Sequence, residues 1–172
     1  LVEAARKNGF GGVNLDLIYG LPRQTRDSFA RTIEQTIALG PDRVAVYSFA
    51  YLPSQRGHQK LIVLSDMPAR QDKFALLAVA RERFLDAGYQ AIGMDHFARP
   101  TDELAVAQRQ GRLQRNFMGY TVMAGADMLG FGVSAIGDVR GALVQDEKKL
   151  VHYYGLLDQG RLPVARGYQR TP

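Results

Sequence analysis

The sequence predicts an α/β protein whose parallel strands are joined by helical crossovers. Short runs that are apolar on both faces alternate with longer stretches carrying an apolar stripe at helical spacing, and Gly or Gly-Pro pairs separate them. Of the 172 residues, 46% are apolar and 23% charged, and 22 Lys plus Arg against 17 Asp plus Glu leave a charge of +5. That composition is ordinary for a globular domain, and the length suits about one domain of ~100–200 residues. No stretch is apolar enough to span a membrane, there is no basic-then-apolar leader, and a cytoplasmic location is expected.

The elements follow in order. Residues 2–7 read as a helix end closed by Asn8-Gly9, since Gly accepts the left-handed conformation after a helix. Residues 13–18 form a strand, apolar but for Asn14 and Asp16, and Gly20-Leu21-Pro22 turns the chain. Phe29, Ile33 and Ile37 draw a helical stripe that Gly40-Pro41 ends. Residues 43–49 are a second strand, and Phe74, Leu77, Ala80, Phe84 and Ala87 mark the expected core face of a longer helix. Residues 89–94 and 128–133 are the third and fourth strands. Leu150, Tyr153, Tyr154 and Leu157 give a last helix stopped by Gly160. Four strands suggest an open sheet or part of a barrel.

Ligands of parallel α/β sheets bind at the carboxyl ends of the strands. Asp16, within an apolar strand, reads as a buried carboxylate that either contacts a ligand hydroxyl or is bonded to nearby backbone. Asp95-His96 is either an acid–base or metal-ligating pair or a hydrogen-bonding loop. Only three His are present and no Cys, so no dedicated metal site is expected, and disulfides, cysteine nucleophiles and self-held iron–sulfur clusters are excluded for these residues. Residues 130–137, Gly-Phe-Gly-Val-Ser-Ala-Ile-Gly, lack both the dinucleotide-binding and the nucleophile-elbow spacing. They read as a close approach to a flat ligand or as a tight turn. Arg99, Arg109, Arg112 and Arg115 offer guanidinium forks for carboxylate or phosphate, or simply a solvated face. Phe117 and Tyr120 serve stacking or the core. A nucleic-acid reading rests only on the modest positive charge, and no such partner is expected.

The string from Asn14 to Thr25, NLDLIYGLPRQT, resembles a segment of the oxygen-independent coproporphyrinogen III oxidases, the coproporphyrinogen dehydrogenases of the radical S-adenosylmethionine superfamily. Four further strings agree in order and spacing: residues 41–53, 93–98 (GMDHFA), 115–121 (RNFMGYT) and 130–136 (GFGVSAI). The resemblance implies a partial (β/α) barrel, with residues 1–160 forming its C-terminal portion. Residues 161–172, with three Arg and no acid, would then be a linker to a helical domain outside this sequence. It implies an S-adenosylmethionine cofactor contacted by Asp16, Ala50 and Ile136, and a [4Fe-4S] cluster held by cysteines that this sequence lacks. It also implies a deoxyadenosyl radical that oxidatively decarboxylates coproporphyrinogen III to protoporphyrinogen IX, with an electron donor as partner. On this reading the chain is a central fragment, inactive alone, and its exposed barrel edge predicts self-association. The alternative within the superfamily is a non-catalytic haem-binding or haem-delivery relative, against which the string at 115–120 argues. Arg115 is a candidate for the substrate carboxylates on charge, and Met118 departs from the Gln of some members.

Overall fold

The computed structural model describes residues 1–116 and 118–170. Phe117, proposed above for stacking, and Thr171 and Pro172 of the expected linker lie outside the described residues. The chain divides into two compact units, Leu1–Val122 and Met123–Pro172.

The first unit carries α1 (Val2–Lys7), β1 (Asn14–Tyr19), α2 (Arg26–Leu39), β2 (Arg43–Ser48), α3 (Arg70–Asp86), β3 (Gln90–Ile92), β4 (His96–Ala98) and α4 (Glu103–Arg109). A hairpin of β5 (Gln114–Asn116) and β6 (Gly119–Thr121) follows. The four-stranded sheet has the order β1-β2-β4-β3. β1 and β2 are parallel, with α2 as their crossover, whereas β4 pairs antiparallel with both β2 and β3. The sheet is therefore mixed. The third predicted strand ends early because Gly93, at φ 61°, turns it back as a hairpin.

The pleat sorts the side chains. Leu17, Tyr19, Val44, Val46 and Phe97 pack with Phe29 and Ile33 of α2 and Leu76, Ala80 and Phe84 of α3 into the main core. Phe84 and Phe97 stack with ring centroids 5.0 Å apart. The core stripe of α3 is thus Leu76, Ala80, Phe84. Phe74, expected to face inward, is 73% exposed, because helical phase is set by the sheet beneath rather than by every apolar residue. α2 starts at a reciprocal cap: Thr25 Oγ1 accepts from the Ser28 N–H at 3.1 Å and Ser28 Oγ from the Thr25 N–H at 2.9 Å. Its end falls at Gly40, φ 67°. The opposite sheet face buries Ile92 and Ala98 against Leu104 and Ala105 of α4, with Tyr120 of β6 half-buried beside them. Arg43 ties that helix to the sheet, bonding Asp102 at 2.7 Å and Glu103 at 2.6 Å.

The second unit contains β7 (Ile136–Val139), β8 (Ala142–Asp146), α5 (Leu150–Leu157) and β9 (Val164–Gln169) in an antiparallel sheet β7-β8-β9. One expectation changes here. Residues 128–133 are not a strand: only Met128 makes an isolated bridge, to Asp138, and the glycines that follow loop the chain round. Residues 164–169, within the expected linker, form β9, held by backbone pairing to β8 with no apolar period to reveal it.

Candidate functional site

The register places Asp16 of β1, Ala45 of β2 and His96 of β4 in one row across the sheet, on the face away from the main core. Adjacent strands lie about 4.8 Å apart, so Asp16 and His96 are roughly two strand spacings apart, with a methyl side chain between them. Tyr47, two residues beyond Ala45, stands on the same face. Its ring meets His96 edge to face at 5.9 Å, and His96 meets Tyr120 in the same way at 5.2 Å. The Arg115 guanidinium lies 5.2 Å from the Tyr120 ring centroid.

Asp16 is exposed, contrary to the expectation of a buried carboxylate. Alternation along β1 turns Leu15 and Leu17 to the core and Asn14, Asp16 and Ile18 away from it. The Asn14 amide donates to Asp16 Oδ1 at 2.7 Å. The carboxylate is thus available to accept from a ligand. Asp95 and His96 are brought together, Nδ1 to Oδ1 at 2.7 Å, which leaves Nε2, on the side of Gly119, as the imidazole's other nitrogen. Burial raises the Tyr47 phenol above its ordinary pKa, and Asp16 and Asp95 raise it further, with Arg115 opposing. Among the described residues no group of three His, Cys, Asp or Glu is arranged to hold a metal ion.

Three of the four arginines of the basic segment are engaged within the fold. Arg99 donates to the Pro41 carbonyl at 3.2 Å, Arg109 to Gln90 and to the Pro100 carbonyl, and Arg112 to Gln110. Arg115 makes no ion pair among the described residues and so keeps its charge for a partner.

Two loops follow the parallel strands, and each is locked by a glutamine. After β1, Gln24 Oε1 accepts from the Gly20 N–H at 2.6 Å while its amide donates to the Ile18 carbonyl at 3.1 Å. After β2, Gln59 bridges the Ala50 carbonyl and the Leu52 N–H. Ala50 is exposed at this carboxyl end, five positions beyond the register partner of Asp16, so at most about 17 Å further along.

Ile136 opens β7 in the second unit. Its backbone lies so close to Gly130 that a Cβ there would sit 2.5 Å from the Ile136 carbonyl oxygen. Ser134 holds φ 60° and donates its N–H to the Glu147 carbonyl at 2.8 Å. The glycine-rich string is therefore a tight turn folded back on its own sheet.

Tyr47, Ala45 and Gln59 escaped the sequence reading. Tyr47 and Ala45 join the site only through strand pairing, which no local pattern reports, and Gln59 sits in a polar loop with nothing to distinguish it from a surface glutamine.

The chain matches no protein-family profile. Its fold is that of a segment of a radical SAM enzyme: it superposes on coproporphyrinogen III oxidase from Escherichia coli, described as a radical SAM enzyme, with a TM-score of 0.93 and 46% identity, over 99% of this chain and 39% of that one. Sequence relatives at 41–49% identity are named oxygen-independent coproporphyrinogen III oxidase. They include the Pseudomonas aeruginosa protein, 48% identical over 97% of this chain, and the Thermostichus vulcanus protein, 49% identical over 90%. The chain spans 36% of the former's length and 47% of the latter's.

Proposed function

We infer that this chain is the part of an oxygen-independent coproporphyrinogen III oxidase that faces cofactor and substrate, within a longer protein that decarboxylates coproporphyrinogen III to protoporphyrinogen IX without oxygen. The carrying observation is the near-complete alignment of this chain to proteins of that name at 46–48% identity. S-adenosylmethionine would supply the hydrogen-abstracting radical once reduced at an iron–sulfur cluster fed by an electron donor. The chain has no Cys, so its residues do not fit the cluster, and no step is assigned to them through it.

They do fit the nucleoside part. Asp16 accepts from cofactor hydroxyl or amine groups on the open sheet face, supported by its exposure and its single amide partner. Ala50 adds a small, exposed wall at the carboxyl end of the strands. Ile136 is assigned to a cofactor on the resemblance alone. Arg115, stacked on Tyr120 and free of ion pairs among the described residues, receives a substrate carboxylate. His96, held by Asp95, presents Nε2 beside the same tyrosine.

The test is anaerobic reconstitution of the longer protein with iron and sulfide, then addition of S-adenosylmethionine, a reductant and coproporphyrinogen III. Protoporphyrinogen IX is the expected product. Cofactor cleavage without decarboxylation would instead support a haem-binding relative. Asp16→Ala is expected to weaken S-adenosylmethionine binding, and unchanged affinity would remove Asp16 from the site.

A further inference from the structure

One buried side chain bridges both ends of the 50–52 segment after β2. Gln59 lies on a 3-10 turn over Gly57–Leu61 and is 7% exposed. Its Oε1 accepts from the Leu52 N–H at 2.5 Å, and its amide donates to the Ala50 carbonyl at 3.0 Å. From the other side, Lys73 of α3 passes against Gly20 and donates from Nζ to the Phe49 carbonyl at 3.2 Å. These two side chains satisfy the carbonyls of Phe49 and Ala50 and one N–H. Among the described residues, no partner meets the N–H groups of Ala50 and Tyr51.

The exposed loop thus has its carbonyls held by protein side chains and two adjacent N–H donors left open to solvent or to a bound molecule. It stands at the carboxyl end of a parallel strand, where α/β sheets receive ligands. We propose that Gln59 is a positioning residue for the ligand site: it touches no ligand, but sets the 50–52 backbone so that a bound molecule meets preformed donors instead of ordering them. The proposal rests on the reading that this face binds S-adenosylmethionine.

Its test replaces Gln59 by Met, which keeps the volume and removes both bonds, and by Glu, which keeps the acceptor for Leu52 and loses the donor to Ala50. In the reconstituted longer protein, Gln59→Met is expected to weaken S-adenosylmethionine binding about tenfold, and Gln59→Glu at least as much, because a carboxylate oxygen then faces the Ala50 carbonyl. KM for S-adenosylmethionine should rise with kcat at saturation nearly unchanged, which a general loss of fold would not produce. Affinity equal to wild type in both variants overturns the proposal, and if the Met variant does not fold, the Glu variant decides. Amide exchange at Leu52 is expected to accelerate in Gln59→Met, and unchanged exchange also overturns it. If wild type itself binds no S-adenosylmethionine, the functional reading falls and this proposal with it. Fast Leu52 exchange would then show that the clamp was real and the ligand wrong.

Discussion

The hydroxyl of Tyr120 fills the space where a Gly93 side chain would begin, and there it accepts a hydrogen bond from the Met94 N–H at 3.1 Å. One glycine thereby lets the β5-β6 hairpin reach the turn between β3 and β4 and hold Tyr120 against His96. Gly93→Ala should cost about 2–4 kcal/mol, combining a left-handed φ with overpacking. Urea denaturation checks it. Tyr120→Phe keeps the ring and loses the bond, so about 1 kcal/mol is expected there.

The two phenylalanines of α3 separate packing from pattern. Phe84 is fully buried between Phe97 and Tyr89, and Phe84→Ala should destabilise by about 3–5 kcal/mol. Phe74→Ala, at an exposed site, should change stability by no more than about 0.5 kcal/mol. Paired denaturation curves decide which helix face is the core.

Burial alone would raise the Asp42 carboxyl, yet the Val13 N–H bond and the charges of Arg6 and Arg99 hold it below the ordinary carboxylate value. Its folded pKa is the lower one. The stability it contributes is therefore full above the unfolded pKa, about 3.9, and is lost as pH falls through the folded value. Asp42→Asn should flatten the acid limb of a stability–pH profile and leave the alkaline limb alone.

Tyr47 reports on its neighbours. Asp16→Asn should lower its raised pKa and Arg115→Gln should raise it further, because the first removes an anion that disfavours the phenolate and the second a cation that favours it. Titration of ring-labelled tyrosine by NMR reads both directions in one experiment.

β1 ends the order β1-β2-β4-β3, so its outer backbone edge has no strand neighbour in that sheet, and Ile18 beside it is 45% exposed. The 172-residue chain is expected to self-associate, since an open strand edge templates pairing. A monodisperse monomer by light scattering would contradict this.

Much of this architecture was legible along the chain because it is local. The α2 stripe of Phe29 and Ile33, the Gly40 stop and the short apolar strands around residues 15 and 45 all follow from period and punctuation, and the quoted strings by themselves resemble the oxidases. The antiparallel return of β4 was not legible, since a three-residue strand has no period to speak of. Nor was β9, whose side chains are all exposed and whose existence rests on backbone bonds to β8.

The sequence by itself determined that the chain is α/β, that it supplies no thiolate to a metal or cluster, and which strings it shares with its relatives. Only the tertiary structure decided that Asp16 is open rather than buried, that Ala45, Tyr47 and His96 share its sheet face, and that the side chain of Arg115 alone of four arginines lacks a polar partner among the described residues. The reason is physical. Period and composition report how a segment meets one face of water or core, whereas a site is made by register between strands distant in sequence, and register is an energy of the assembled sheet.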